Sequence, residues 1–379
     1  MDRGHTRPGA LNEHFENHMI FPTTTLGGNK GANMFRDILY YKPNLYEVIE
    51  RYKRLYAAQG PGHICIYATP PFEAPQKTPP LTEVNLDEGL EDYLDLCLRN
   101  YEAMLEVTRA IPDDLIPSFG LFFGIGDYSA FIAGEVIFTP DTSWAAPVLR
   151  DWADLDELAL REDNYWVRLL ERAVRYAVER MRSGPIPLVR GYYSPLDLAH
   201  ALRGERLFTD FFDAPEQVHR LMAFCTKATI WIAKRLQALI GYYWGGSIAG
   251  AWLPAGTICM SEDIACMVSP HIYAQFARPY TQQVIDAFGH GQIHTHSLGM
   301  HVLVGVQVSD DPNTPRPFDH LDTLLPKTHN VPLSVGCTGQ DVRQHIEKLA
   351  RSTNIILASN VTSVEEGIEV VELVRRFSA

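Results

Sequence analysis

The chain has 379 residues, 46% apolar and 21% charged, the balance of a folded globular protein and not of a disordered, collagen-like or coiled-coil one. Lysine plus arginine total 33 against 46 aspartate plus glutamate. The resulting formal charge of −13 argues against general binding to nucleic acid or to an anionic membrane. No CxxC pair occurs among the six cysteines, so reduced thiols in the cytoplasm are expected. Residues 1–17 lack the apolar core of a signal peptide, and every apolar stretch is interrupted well before the roughly 20 residues of a membrane span.

Residues 1–60 read as an N-terminal extension, with helical spacing of Leu45, Val48, Ile49, Tyr52 and Leu55 between Asn44 and Ala58. From residue 61 to 379, short β-rich runs alternate with amphipathic helices. The first run is Gly62–Ala68, followed by a helix near 90–110. The second is Leu115–Phe122, with a helix at 165–181 before the third run, Ile186–Arg190. Ser194-Pro195 then opens a helix with serine as cap and proline at its first position, and Asp213-Ala214-Pro215-Glu216 opens a long one reaching about Ile240. The fourth run is placed at Tyr242–Ala249, with a long loop to Val268 and a helix from Ser269-Pro270 to about Phe288. The remaining runs are Gln292–His296, Val304–Val308, Pro332–Gly336 and Ile355–Ser359, and a capping pattern at Ser363-Val364-Glu365-Glu366 starts the last helix. Eight strands alternating with helices predict parallel pairing and an α/β fold, a (β/α)8 TIM barrel. The chain lacks the GxGxxG fingerprint expected of an open dinucleotide-binding sheet.

In such a barrel the chemistry lies at the C-terminal tips of the strands. The second tip carries Asp127 and the third Arg190, Tyr192 and Tyr193. The loop after the fourth carries Cys259, Glu262 and Asp263. His294 and His296 end the fifth, Asp310 follows the sixth, Cys337 the seventh and Asn360 the eighth. His294 and His296 are two apart and so share one side of a strand, where they can hold a metal or divide substrate orientation and proton transfer. Cys337 with a carboxylate from Glu262 or Asp263 would complete a zinc site, or is a small buried hydrophobe. Arg190 would hold a substrate carboxylate or phosphate, or pair with a nearby acid. Tyr192 and Tyr193 would wall the pocket. The expected sites are thus Asp127, Glu262, Asp263, His294 and His296 for catalysis, and Arg190, Tyr192, Tyr193, Asp310 and Asn360 for substrate. His294, His296, Cys337 and Glu262 are expected for metal.

Three segments, Tyr193-Ser194-Pro195-Leu196-Asp197-Leu198-Ala199, Phe212–Leu221, and Ser269–Tyr273 leading to Ile293-His294-Thr295-His296-Ser297-Leu298-Gly299, resemble the uroporphyrinogen decarboxylase superfamily. The resemblance runs from about Asp114 to the C-terminus and implies a (β/α)8 barrel. It also implies either decarboxylation in haem synthesis or corrinoid-dependent methyl transfer to thiols. The arginine-rich motif of the decarboxylases has no counterpart here, and Ser359-Asn360 stands where they carry a late histidine. The methyltransferases bind zinc through a His-x-Cys motif and a second cysteine. Here Leu298 stands at the first cysteine position after His296, and Asn360 or its neighbours at the second.

The leading expectation is a methyltransferase-like enzyme moving a methyl group between a corrinoid and a thiol or similar acceptor, with zinc as metal. A zinc-bound thiol has a lowered pKa. The second is a metal-free decarboxylase of a pyrrole or aromatic acid, in which Asp127 stabilises the protonated ring and Arg190 holds a carboxylate. The third is a non-catalytic corrinoid or small-molecule carrier. A small-molecule substrate, a corrinoid protein and a second copy of the chain are the expected partners; nucleic acid and membrane are not.

Overall fold

The computed structural model describes residues 35–58, 60–133, 135–140, 142–299, 306–309, 314–328 and 331–378. The expected substrate residue Asp310, and most of the expected N-terminal extension, lie outside these. Within the described residues, helix α1 (Leu45–Ala57) buries the five apolar residues that its spacing singles out, against the main hydrophobic core.

The central strands are β1 (Ile64–Thr69), β2 (Phe119–Gly120), β3 (Leu188–Val189), β4 (Tyr192–Tyr193), β5 (Thr257–Ser261), β6 (His290–His296), β7 (Val306–Ser309), β8 (Leu333–Thr338) and β9 (Ile355–Asn360). Seven of them form one parallel sheet in the order β1-β9-β8-β7-β6-β5-β4, and β2 pairs with β3 in a second parallel pair. Helices α2 (Leu90–Thr108), α3 (Tyr165–Met181), α4 (Pro195–Arg203), α5 (Pro215–Ile240), α6 (Arg278–Phe288), α7 (Gly339–Ser352) and α8 (Val364–Phe377) fall between strands or after the last one, with α4 and α5 both between β4 and β5. The capping signals act as read. Ser194 and Ser363 each accept a hydrogen bond from the backbone N–H three residues on, and proline takes the first position of α4 and α5.

Two features depart from the expectation. Among the described residues no strand ladder joins β1 to β2, so the sheets do not form one continuous eight-stranded ladder. Two aspartates bridge that seam instead. Asp114 donates its N–H to the Ile66 carbonyl (2.7 Å), while the carboxylates of Asp114 and Asp113 accept the N–H of Ile66 and of Ala68 (2.8 and 3.0 Å). Lys42 pairs with the buried Asp113, and Arg51 (2.6 Å) and Arg375 (2.8 Å) pair with Asp114.

The second departure concerns the fourth strand. Tyr242–Ala249 is not in the main sheet. Tyr243 and Gly246 exchange backbone hydrogen bonds around Trp244 (φ 50°) and Gly245 (φ 72°), and Gly246–Ile248 pairs antiparallel with Trp252–Pro254. Two successive residues at positive φ are the signature of a tight hairpin turn. The strand that joins the sheet is β5, inside the stretch expected to be loop.

Candidate metal centre at the strand tips

β5 and β6 run side by side with Cys259 level with Gln292 and Ser261 level with His294. Alternation puts Gln292, His294 and His296 on one face of β6, and the Cys259 thiol reaches Gln292 Oε1 across that face (3.2 Å). Past Ser261 the strand ends, and the turn Asp263–Met267 sets the Asp263 side chain against the imidazoles while the Glu262 carboxylate goes to Tyr273 and Thr281. The Glu262 N–H donates to the His294 carbonyl (2.8 Å), which locks the tip of β5 to β6.

Three side chains converge as a result. Asp263 Oδ1 lies 3.2 Å from His296 Nε2 and 3.9 Å from His294 Nε2, and each side chain is about a third exposed, at 39%, 33% and 34%. One donor atom from each of the three lies within 4.8 Å of the other two. The imidazole rings meet edge to face, with centroids 5.3 Å apart. Asp263 Oδ1 is itself buried and accepts no hydrogen bond of normal geometry. Two donors on a tetrahedral zinc with bonds of about 2.05 Å stand roughly 3.3 Å apart. The 3.2 Å pair already has that separation, and the 3.9 Å pair must close by about 0.6 Å. A buried carboxylate oxygen within 4 Å of two imidazole nitrogens could therefore hold a divalent metal together with them.

Glu262 and Cys337, expected as ligands, stand elsewhere. The Glu262 carboxylate is fully buried and accepts hydrogen bonds from the hydroxyls of Tyr273 and Thr281 on the far side of the tip. Burial pushes its pKa up to about 7. Tyr273 opens a π-helical turn, Tyr273–Ala277, that precedes α6. Cys337 follows Leu333 and Val335 on the outward face of β8 and packs in the hydrophobic cluster with Val342, Ile346, Val370 and Val371 of α7 and α8. Strand parity therefore directs it into the helical layer.

Asp127 and Arg190 hold one another. Arg190 donates to both carboxylate oxygens of Asp127 (2.9 and 2.5 Å) and to the Leu121 carbonyl (3.2 Å). Asp127 also accepts the Phe123 N–H (2.7 Å), and the two side chains are almost wholly buried. The guanidinium sits 4.9 Å from the Tyr128 ring centroid. Of the ion-pair and substrate readings of Arg190, the geometry is that of the ion pair. Tyr192 is buried beside it, and the cavity there measures about 10 Å³, too small for a substrate. Tyr193 is half-buried and packs edge-on against Tyr128, 5.1 Å between centroids, and Phe122 packs on the other side of Tyr128. Asn360 is exposed at the tip of β9.

Sequence reasoning assigns no role to one polar residue at the centre. Asp197, in the first turn of α4, is buried, and its carboxylate accepts hydrogen bonds from Ser261 Oγ, Asp263 N and Ile264 N. Burial first, and then the Asp263 charge, push its carboxyl well above the usual range.

With this geometry in view, the chain's relatives can be placed. The sequence matches the uroporphyrinogen decarboxylase (URO-D) family over residues 99–306, a span that contains Asp127, Arg190, Asp197, Asp263, His294 and His296. That is just over half of the chain, and the protein belongs to this family. Among solved structures it is similar to a methyltransferase from Methanosarcina mazei, with a TM-score of 0.56 over 87% of this chain and 98% of that one. Sequence identity is 11%, so the likeness is one of fold. No curated protein matches the sequence. Among the described residues no helix is long and apolar enough to cross a membrane.

Proposed function

We propose that this chain is a methyltransferase-like enzyme in which Asp263, His294 and His296 hold a divalent metal, zinc by preference, at the mouth of a (β/α)8 barrel. On this reading the two parallel sheets are arcs of one barrel joined across the Asp113–Asp114 seam. The observation that carries the proposal is the buried Asp263 Oδ1, without a normal hydrogen bond, between two imidazole Nε2 atoms. A metal held there would act as a Lewis acid, lowering the pKa of a coordinated thiol or similar methyl acceptor.

The donor set favours that role. Two neutral imidazoles and one carboxylate leave a divalent cation with a net charge of +1. The thiolate-rich set of the family's methyltransferases neutralises it, so the site here is the stronger electrophile. The half-buried Tyr193 borders this part of the rim, since it lies level with Ser261. Phe122, Ile125, Met267 and Leu298, all 41–57% exposed, follow the tips of β2, β5 and β6. Such an apolar rim suits a corrinoid-carrying protein docking over the mouth. The decarboxylase reading draws less support, because it asks Asp127 and Arg190 to face a substrate while each satisfies the other.

Metal analysis of the purified chain tests this. About one zinc or other divalent ion per chain is expected, and less than a tenth of that in Asp263→Ala or His296→Ala. A wild-type chain that is metal-free and takes up neither Zn²⁺ nor Co²⁺ on titration would refute the reading.

A further inference from the structure

The first turn of α4 holds a carboxylate that its own helix does not use. The cap of α4 is Ser194, whose hydroxyl accepts the Asp197 N–H (3.3 Å). The Asp197 side chain is therefore left for other partners, and all three of its donors lie on one neighbouring segment. Ser261 Oγ donates at 2.9 Å, and the Asp263 and Ile264 N–H groups each donate at 3.0 Å. That segment has no cap of its own, because the turn Asp263–Met267 starts without a side-chain hydrogen bond from Glu262. Its other ties are backbone bonds to flanking elements, Ser194 N to the Ser261 carbonyl (3.0 Å) and Glu262 N to the His294 carbonyl (2.8 Å), and side-chain bonds made at Glu262, whose carboxylate accepts from Tyr273 and Thr281 and whose carbonyl accepts from Thr295 Oγ1.

The arrangement costs free energy. A buried carboxylate beside a second carboxylate is electrostatically unfavourable, and a neutral residue would cap the turn without that cost. What the carboxylate adds is two-oxygen acceptance. Oδ2 takes Ser261 Oγ and the Asp263 N–H, and Oδ1 takes the Ile264 N–H. Three bonds over four residues fix the backbone direction from which the Asp263 side chain departs, and hence where its Oδ1 stands relative to the imidazoles. An asparagine cannot do the same, since its NH₂ would oppose an N–H donor.

We propose that Asp197 is the positioning residue of this centre. It holds the 261–264 segment so that Asp263 Oδ1 stays close to the His294 and His296 imidazoles. This rests on the metal reading above and extends it to a residue that touches neither metal nor substrate. Outer partners of this kind set metal affinity by about 10- to 100-fold.

The test uses the metal-free full-length chain, titrated with Co²⁺ as a probe with a visible spectrum, and amide exchange at residues 263 and 264. Asp263→Asn should abolish cobalt binding with exchange at Ile264 unchanged. Asp197→Asn should weaken cobalt binding about 10- to 100-fold, alter the visible absorption of the bound ion, and speed exchange at both amides. Ser261→Ala, which removes one of three donors, should weaken binding by less than about 10-fold. Wild-type-like affinity and spectrum in Asp197→Asn overturns the proposal. If Asp197→Asn does not fold, Ser261→Ala decides alone, and unchanged cobalt affinity there overturns it. If the wild-type chain binds neither Co²⁺ nor Zn²⁺, it is the metal reading that fails. The clamp is then judged by exchange, and unchanged rates at 263 and 264 in Asp197→Asn, or in Ser261→Ala where Asp197→Asn does not fold, overturn it.

Discussion

Replacing Asp114 by alanine should open the seam between β1 and β2. The Asp114 side chain is fully buried and serves three donors, the Ile66 N–H, Arg51 Nε and Arg375. Removing it leaves the Ile66 N–H without its acceptor, at about 1–3 kcal/mol. It also leaves two guanidinium groups facing each other across a lost counter-charge. Breaking a buried ion pair costs about 3–5 kcal/mol, but these arginine side chains are 16% and 26% exposed and regain some hydration. Taking the lower part of each range gives about 4 kcal/mol. Unfolding entropy of about 2.1 cal/mol/K per residue comes to roughly 0.8 kcal/mol/K over 379 residues, so the melting temperature should fall by about 5 °C. Scanning calorimetry of wild type, Asp114→Ala and Asp114→Asn reads this directly. The asparagine variant keeps an acceptor for Ile66 and should fall in between. A shift below about 1 °C for Asp114→Ala would show that the seam does not depend on this carboxylate.

Two further outcomes follow from buried and capped charges. Arg190→Met should lower the melting temperature by a similar amount, because Asp127 is left buried and unpaired. The double variant Arg190→Met/Asp127→Asn should recover part of the loss, and strict additivity of the two would argue against the pair. Glu366 is held at about 2, below its ordinary 4.5, first by the Thr362 hydroxyl, then by the Thr362 N–H and by Arg343. A depressed carboxylate stabilises the fold above its unfolded pKa and loses that contribution as pH falls through the folded value. Wild type should therefore melt above Glu366→Gln at pH 6, with the gap shrinking as pH falls from about 4.5 toward 2; a gap that widens on acidification contradicts the assignment.

Much of this architecture is legible because the signals are local. Serine caps, proline at the first helical position and the 3.6-residue spacing of Leu45, Val48, Ile49, Tyr52 and Leu55 each act within a turn or two. The fourth strand is misread for the opposite reason. Tyr242–Ala249 opens on three consecutive aromatic residues, yet Trp244-Gly245 makes it a hairpin turn, whereas Thr257-Ile258-Cys259-Met260-Ser261 has no aromatic residue and is the strand that joins the sheet. That single displacement carries into the site. The strand ends at Ser261, and the turn after it decides which acid meets which partner: Asp263 meets His294 and His296, and Glu262 meets Tyr273 and Thr281. Strand parity, counted from Leu333 and Val335, sends Cys337 outward. The pair of imidazoles is legible from period two alone. The carboxylate that joins them is not, because its direction depends on where the neighbouring strand stops.

The two arcs of strand tips are built for different work. On the β2–β3 arc, charge is consumed internally: Arg190 neutralises Asp127, Tyr128 covers the guanidinium, and little space remains. On the β5–β6 arc, charge is left over. Asp197 and Asp263 are both acidic, and the backbone N–H groups that Asp197 accepts carry only partial positive charge. Under the metal proposal, a fold that buries Asp197 beside Asp263, and sets Asp263 against a pair of imidazoles, would gain from a bound cation. Such a cation would offset the unfavourable pairing of the two acids, with Asp197 already held by the Asp263 and Ile264 N–H groups. On this reading the first arc is scaffold and the second is the reactive edge. Substitutions at Arg190 should then change stability more than metal content, and substitutions at His296 the reverse.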